Sequence, residues 1–140
     1  MRRLLFLLIV VMCSMAVNAD PDSNFDPRQY RVALRQFIVA RAGLTPQEAT
    51  KFFKLYDEMK EKQRGYFRKI GQSMRCRPMT DDECARIIKE RDRYELEMKR
   101  LQQTYDLKYL KVVPASKLYE IIKAEEEFNR TAFKNMSRRR

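Results

Sequence analysis

Residues 44–75 read LTPQEATKFFKLYDEMKEKQRGYFRKIGQSMR, and this stretch decides the fold. It opens with a capping box: Thr45 is placed to cap a helix, Pro46 occupies its first position, and Glu48 is placed to bond back to the Thr45 amide. Apolar residues then recur with heptad-like spacing. They are Ala49, Phe52, Phe53, Tyr56, Met59, Tyr66, Phe67, Ile70 and Met74, with the polar Gln63 on the same stripe. The stretch therefore predicts one long helix that ends near Arg75.

Three further helices are predicted from their end signals. Gly43 is placed to end the first of them, and Thr80 with Glu83 forms a second capping box that opens the third helix. The predicted bounds are 27–42 for the first helix, 80–111 for the third and 114–135 for the last. Because the chain has only three glycines and no useful alternation of apolar and polar residues, nothing predicts a β-sheet. We expect an all-α fold with four helices.

The second and third helices are predicted to be far longer than the average of about eleven or twelve residues. In a chain of 140 residues this favours an elongated antiparallel helical hairpin over a compact bundle. One partner helix is too narrow to bury all the aromatic side chains of the second helix, among them Phe52, Phe53, Tyr56 and Tyr66. We therefore expect these residues to offer apolar surface to another copy or to a client.

Residues 1–19 have the pattern of a cleaved signal peptide. Arg2 and Arg3 precede an apolar run that begins at Leu4, and Val17-Asn18-Ala19 supplies the small residues of a cleavage site. The run is shorter than the roughly 18 apolar residues that a membrane anchor needs, although an uncleaved anchor is the alternative. We expect export across the inner membrane to the periplasm. The predicted organisation is a signal peptide at 1–19, a flexible lead-in at 20–25, one helical domain at 26–136 and a basic tail at 137–140.

Two cysteines remain after the leader is removed, Cys76 and Cys84. In an oxidising compartment an even pair so close in sequence predicts a disulfide bond, here at the bend between the two long helices. The alternative is that either cysteine stays a buried free thiol.

The composition argues against catalysis. The chain has no histidine, which removes the commonest general base and the commonest transition-metal ligand. It also lacks a glycine-rich phosphate loop and a clear pairing of nucleophile and base. Asp81, Asp82 and Glu83 are better explained as the first turn of a helix than as a cation site. We expect no enzyme activity, no cofactor and no metal.

The net charge of +11 points to acidic partners. An exported protein seldom meets nucleic acid, so we expect unfolded or acidic envelope proteins, or peripheral contact with anionic lipid or lipopolysaccharide. Residues 62–77 contain six basic and no acidic side chains, interleaved with aromatic ones and with Gly65 and Gly71. The predicted partner-binding residues are Lys62, Arg64, Tyr66, Phe67, Arg68, Lys69, Arg86, Arg91, Arg93 and Arg100. The alternative is a solubilising charged face over an ordinary core.

The segment Leu44-Thr45-Pro46-Gln47-Glu48 resembles the LTxxQ motif of the Spy/CpxP family, with Glu48 at the position of the motif's glutamine. A degraded second copy lies at 113–117. The resemblance implies an exported all-α protein that forms a cradle-shaped homodimer with a basic concave face. It further implies an ATP-independent chaperone for unfolded envelope proteins or, second, an adaptor that binds the periplasmic domain of a stress-sensing kinase. Binding to an anionic surface is the third hypothesis.

Overall fold

The computed structural model describes residues 26–78 and 80–138, except for the side chains of residues 136 and 137. These residues form four α-helices and no strand, so the all-α prediction is confirmed. The helices are α1 (Pro27–Ala42), α2 (Pro46–Arg75), α3 (Asp81–Tyr109) and α4 (Ala115–Ser137). The predicted signal peptide and lead-in lie outside the described residues, as do the last two residues of the predicted tail. None of the described helices is long and apolar enough to cross a membrane.

Both predicted capping boxes form. Thr45 Oγ1 accepts from the Glu48 amide at 3.2 Å, and the Thr45 amide donates to Glu48 Oε2 at 2.9 Å. Thr80 and Glu83 make the same two bonds, each 3.2 Å long. At the end of α1, Gly43 takes a left-handed backbone conformation with φ of 60°, which a side chain would disfavour. These local signals fix the end of α1 and the starts of α2 and α3.

Helix α3 ends slightly earlier than the predicted bound at residue 111. The amides of Val112 and Val113 both donate to the Tyr109 carbonyl at 2.9 Å, which tightens the last turn before Pro114. Helix α4 then begins at Ala115 and reaches Ser137, two residues beyond its predicted end.

Helices α2 and α3 pack side by side in opposite directions. Their contacts descend along α3 as they ascend along α2. In order they are Phe52–Tyr109 (ring centroids 4.7 Å apart), Tyr66–Tyr94 (6.2 Å) and Ser73 Oγ to Glu90 Oε2 (3.0 Å). We call residues 46–60 with 101–109 the near half of this hairpin, and residues 61–75 with 81–100 the far half.

The core lies at the near half, where α1 and α4 pack onto the hairpin. Arg35 of α1 forms an ion pair with Asp57, and Glu125 of α4 accepts hydrogen bonds from Tyr56 and Lys60. The buried apolar residues here are Leu34, Ile38, Ala42, Leu44, Phe52, Phe53, Tyr56, Met59, Tyr105, Tyr109, Val113, Leu118, Ile121 and Ala124. Among the described residues of the far half, Ile87 alone is fully buried.

Two expectations about the apolar surface are wrong. Phe52, Phe53 and Tyr56 do not offer surface to a client, because α1, α4 and the end of α3 bury them. Conversely, Phe67 and Met74 do not belong to the α2–α3 seam: their exposed fractions are 59% and 56%. A helix turns about 100° per residue, so with Tyr66 facing α3 the next side chain, that of Phe67, points elsewhere. Three large apolar residues of α3 and α4 are exposed as well: Ile88, Ile122 and Phe133.

The chain divides into two compact units, Met1–Val32 and Ala33–Arg140, with the boundary inside α1. The described part of the first unit is residues 26–32, the start of α1. There the Asp26 carboxylate accepts from the Arg28 amide at 2.8 Å, which makes Asp26 the N-cap of α1. The packing described above belongs to the second unit.

Candidate functional site

A row of basic side chains lies on the outer side of α2 in the far half. Arg64, Phe67, Arg68, Gly71 and Arg75 follow one another at steps of one, three and four residues, so they share one side of the helix. We call these five residues the arginine face. Together with Glu61 and Gln72 they surround an open depression of about 500 Å³. Phe67 lines this depression and is 59% exposed, although its side chain is apolar.

The arginine face has little internal charge compensation. Glu61 is its only acidic neighbour on α2, and its hydrogen bond with Arg64 holds the pKa of that carboxyl below its usual value. Within the described residues, Arg68 and Arg75 form no ion pair. Two guanidinium groups therefore remain available for an anion, and a planar guanidinium can bind a carboxylate through two parallel hydrogen bonds.

The arginine face continues a surface that α1 covers in the near half. Phe53 and Phe67 lie two heptads apart, nearly four turns of α2, so their side chains leave the helix on similar sides. At Phe53 the Arg35 guanidinium lies 5.0 Å from the ring centroid, and the ring is buried. At Phe67 no described element takes the place of α1. A phenylalanine side chain is thus buried at one end of α2, at Phe53, and exposed at the other, at Phe67.

Two of the predicted binding residues, Tyr66 and Lys69, lie on a different side of α2. Lys69 Nζ sits 5.5 Å from the Tyr66 ring centroid and 5.4 Å from that of Tyr94, and the Arg93 guanidinium lies 5.1 Å from Tyr94. Tyr66 is partly buried in this cluster, which raises the pKa of its phenol, with a further contribution from Glu97. The cluster joins α2 to α3, so its first role is to hold the hairpin together.

Lys62 is engaged in the packing of the hairpin rather than in the arginine face. Its ammonium donates to the Tyr105 hydroxyl at 2.9 Å and to Glu58 Oε1 at 3.0 Å, while Tyr105 donates to the same carboxylate oxygen at 2.6 Å. The hydrogen bond with Tyr105 and then that with Glu58 raise the pKa of Lys62. The same network lowers the pKa of Glu58, first through Tyr105. The Lys62 side chain thus lies at the edge of the core, bonded to the buried Tyr105.

The arginines of α3 are spread over several sides of that helix. Arg91, one of the predicted binding residues, is partly exposed and pairs with Asp92 at 2.8 Å and Glu95 at 3.6 Å. Arg86 and Arg100 are exposed. The structure therefore brings together Arg64, Phe67 and Arg68 of the predicted set and leaves the other members elsewhere.

The structure adds two residues to the site that the prediction omitted, Gly71 and Arg75. Their spacing from Phe67 and Arg68 was a usable signal, since three-, four- and seven-residue steps define one side of a helix. Apart from its chain neighbours and the backbone of its own helix, no heavy atom lies within 4 Å of a methyl group added at Gly71. Because glycine has no side chain, open space remains between Arg68 and Arg75, and another chain can approach the helix closely there.

The predicted disulfide bond is absent. Cys76 and Cys84 are both free thiols in the structure. The Cys76 thiol turns back along α2 and lies 3.5 Å from the Gln72 carbonyl oxygen, to which it donates, while Cys84 is partly buried in the first turns of α3. After the bend, the Thr80 capping box fixes the start of α3.

Comparisons with known proteins leave the family open. Searches of protein-family models, of characterised proteins and of solved structures gave no match to the chain. The resemblance to the Spy/CpxP family therefore stays a prediction. Within the described residues, no group of three histidine, cysteine or acidic side chains is placed to hold a metal ion.

Proposed function

We propose that this chain is a non-catalytic binding protein of a bacterial periplasm that holds acidic, unfolded segments of envelope proteins without ATP. The observation that carries the proposal is the exposure of Phe67 between Arg64 and Arg68, on a side of α2 that is covered in the near half and open in the far half. An exposed aromatic side chain flanked by arginines suits a client segment that carries both carboxylates and apolar side chains.

The positive charges and the Phe67 ring of the arginine face act at different distances. The net positive charge attracts an acidic chain over a distance set by the ionic strength, about 8 Å at physiological salt. On contact, Arg68 and Arg75 pair with carboxylates while Phe67 is removed from water. Complete burial of such a ring is worth roughly 1.5–3 kcal/mol, and an exposed ion pair about 1 kcal/mol at most.

These magnitudes predict weak and reversible binding. Contacts of this size sum to a few kcal/mol, and part of that is lost in ordering the client and the long arginine side chains. Millimolar to micromolar affinity corresponds to about 4–8 kcal/mol, so one arginine face lies near the weak end. A client is then released by its own folding, which withdraws its apolar residues, and no nucleotide is needed.

The test measures how residues 20–140 suppress aggregation of a chemically denatured client at near-stoichiometric ratio, in low and in high salt. We expect suppression that weakens with salt. The triple variant Arg64→Ser, Phe67→Ser and Arg68→Ser should lose most of it. The matched control is Lys51→Ser, Lys54→Ser and Tyr119→Ser, which also removes two exposed positive charges and one exposed aromatic ring.

Each outcome bears on the proposal. Loss of suppression in the arginine-face variant and retention in the control support it, provided that both variants keep the helical circular dichroism of the native chain. Equal suppression by all three proteins contradicts a role for the arginine face. An inert native chain contradicts the chaperone function altogether and favours the adaptor of a stress-sensing kinase, for which one saturable partner is expected.

A second candidate function rests on the row of arginines alone. Arg64, Arg68 and Arg75 span about 16 Å along α2 at 1.5 Å per residue, on a side with one paired carboxylate. Such a row also suits the phosphates of anionic lipid or lipopolysaccharide. Salt-sensitive binding to vesicles of anionic lipid that Arg68→Ser and Arg75→Ser together abolish, in a protein that suppresses no aggregation, would select this function.

A further inference from the structure

Helix α4 carries apolar side chains on its outer side as well as on the side that packs into the core. Tyr119 is 59% exposed, Ile122 41% and Phe133 69%. Because a helix turns about 100° per residue, these three side chains leave it within about 60° of one another, along roughly 21 Å of its length. Ile121 and Ala124, which are buried, lie on the opposite side. The outer side of α4 is therefore an apolar row that the core does not use.

A row of positive charges runs beside this apolar row. Lys123, Arg130 and Lys134 are exposed, and their spacing places them along one edge of it. The Lys123 ammonium lies 5.3 Å from the centroid of the Tyr119 ring. Residues 128–140 contain five basic and no acidic side chains. We call the two rows together the outer face of α4: Tyr119, Ile122 and Phe133 with Lys123, Arg130 and Lys134.

The carboxylates of α4 leave this outer face positive. Glu120 and Glu127 both pair with Arg41 of α1, at 3.9 and 3.6 Å. Glu125 accepts hydrogen bonds from side chains of α2. Of the four glutamates of α4, Glu126 alone has the spacing that places it on the outer face. The net charge of the outer face is therefore positive, and it suits an anionic surface.

We propose that the outer face of α4 binds the surface of a membrane that contains anionic phospholipid. A helix that lies in a membrane surface places its apolar side chains at the boundary of the acyl chains and its cations among the phosphates. Tyrosine is well suited to this boundary, because its ring is apolar and its hydroxyl is polar. Lysine and arginine extend their apolar stems along such a surface while their charges reach the phosphates.

The arrangement of the two rows favours a lipid surface over an acidic protein. In the arginine face, Phe67 lies between Arg64 and Arg68, so charged and apolar groups alternate along α2. On the outer face of α4, the charged and apolar groups are separated into two parallel rows. A bilayer has the same separation, since its phosphates lie above its acyl chains everywhere on the surface. The proposal rests on α4 and does not depend on the proposed function of the arginine face.

Cosedimentation of residues 20–140 with lipid vesicles tests the proposal. Vesicles of phosphatidylglycerol and phosphatidylcholine in equal parts should bind the protein in low salt, and vesicles of phosphatidylcholine alone should bind little. Each cation near an anionic surface is worth about fivefold in binding, so Arg130→Gln with Lys134→Gln should weaken binding roughly twentyfold. Glu126→Gln removes a negative charge from the outer face and should strengthen binding by up to about fivefold.

Two controls locate the binding surface. Lys51→Gln with Lys54→Gln removes two exposed charges from α2. Arg68→Ser with Arg75→Ser removes two from the arginine face. Both controls should bind the vesicles like the native chain. Absence of binding to the anionic vesicles, equal weakening in the α4 variant and the lysine control, or loss in the arginine-face control alone overturns the proposal. Because the assay contains no client, these outcomes are separate from those of the aggregation assay.

A tryptophan probe tests whether the apolar row enters the lipid. The chain has no tryptophan, so a single introduced one reports on its own position. With the anionic vesicles, the emission of Phe133→Trp should move to shorter wavelength and be quenched by brominated lipid, because the ring leaves water. Phe67→Trp on the arginine face should keep the emission of the free protein. Provided that both variants keep their helical circular dichroism, a shift at position 67 instead of 133, or at neither, contradicts the proposal.

Discussion

Phe53 and Phe67 give a direct test of where the core ends. Phe53 is 8% exposed and packs against Phe52 and Tyr56, with ring centroids 5.2 and 6.0 Å away. Replacing a buried phenylalanine by alanine costs about 3–5 kcal/mol. Phe67 is 59% exposed, and surface substitutions change stability by about 0.5 kcal/mol or less. We expect Phe53→Ala to lower the free energy of unfolding by several kcal/mol and Phe67→Ala to leave it nearly unchanged.

Urea and thermal unfolding followed by circular dichroism at the helical minimum measure the difference. For a domain of this size 1 kcal/mol corresponds to roughly 4 °C in Tm, so Phe53→Ala should lower Tm by about 12–20 °C and Phe67→Ala by about 2 °C or less. Equal losses for the two variants would refute the reasoning, because they would show that Phe67 is also buried in solution. Repeating the measurement at low protein concentration separates burial within one chain from burial by association.

Three further results are expected. Gly65→Ala and Gly71→Ala should each raise the free energy of unfolding by about 0.5–1 kcal/mol in thermal unfolding, since alanine favours helix and nothing lies within 4 Å of either added methyl group; a loss would mean that a neighbour occupies that space. Thr45→Ala should cost about 1 kcal/mol in urea unfolding through loss of the α2 cap, and Thr50→Ala, whose hydroxyl bonds only the preceding turn, should cost clearly less. Hydrogen bonds with Lys117 and the Thr45 amide lower the pKa of Glu48, and bonds with Tyr105 and Lys62 lower that of Glu58, so the stability they add is present above their usual pKa of 4.5 and is lost as the pH falls below it. The urea midpoint should therefore fall below about pH 4.5 and fall less steeply in Glu58→Gln; an unchanged slope in that variant would contradict the assignment.

The features that the sequence predicted correctly are those that depend on neighbours along the chain. The capping boxes at Thr45 and Thr80 and the left-handed Gly43 involve residues within one or two turns, so their signals are complete in the local sequence. Helical spacing also places Arg64, Phe67 and Arg68 on one side of α2, but the prediction assigned Phe67 to the apolar stripe as well.

The errors concern features that depend on where distant helices pack. Phe53 and Phe67 follow similar local patterns, and what separates them is the position of α1, which reaches Asp57 and stops short of the far half. The predicted bond between Cys76 and Cys84 failed for a related reason, since closeness in sequence does not fix the direction of a side chain.

Site-specific photocrosslinking tests the central claim most directly. A photoreactive phenylalanine analogue is placed at position 67 or, as a matched control, at Tyr119 on α4; both native side chains are 59% exposed. Residues 20–140 carrying either probe are mixed with a denatured acidic client and irradiated. The account predicts strong crosslinking from position 67, weakened by high salt, and little from position 119. Equal yields from the two positions, or none from position 67 while aggregation is suppressed, would contradict the assignment of the arginine face as the binding surface.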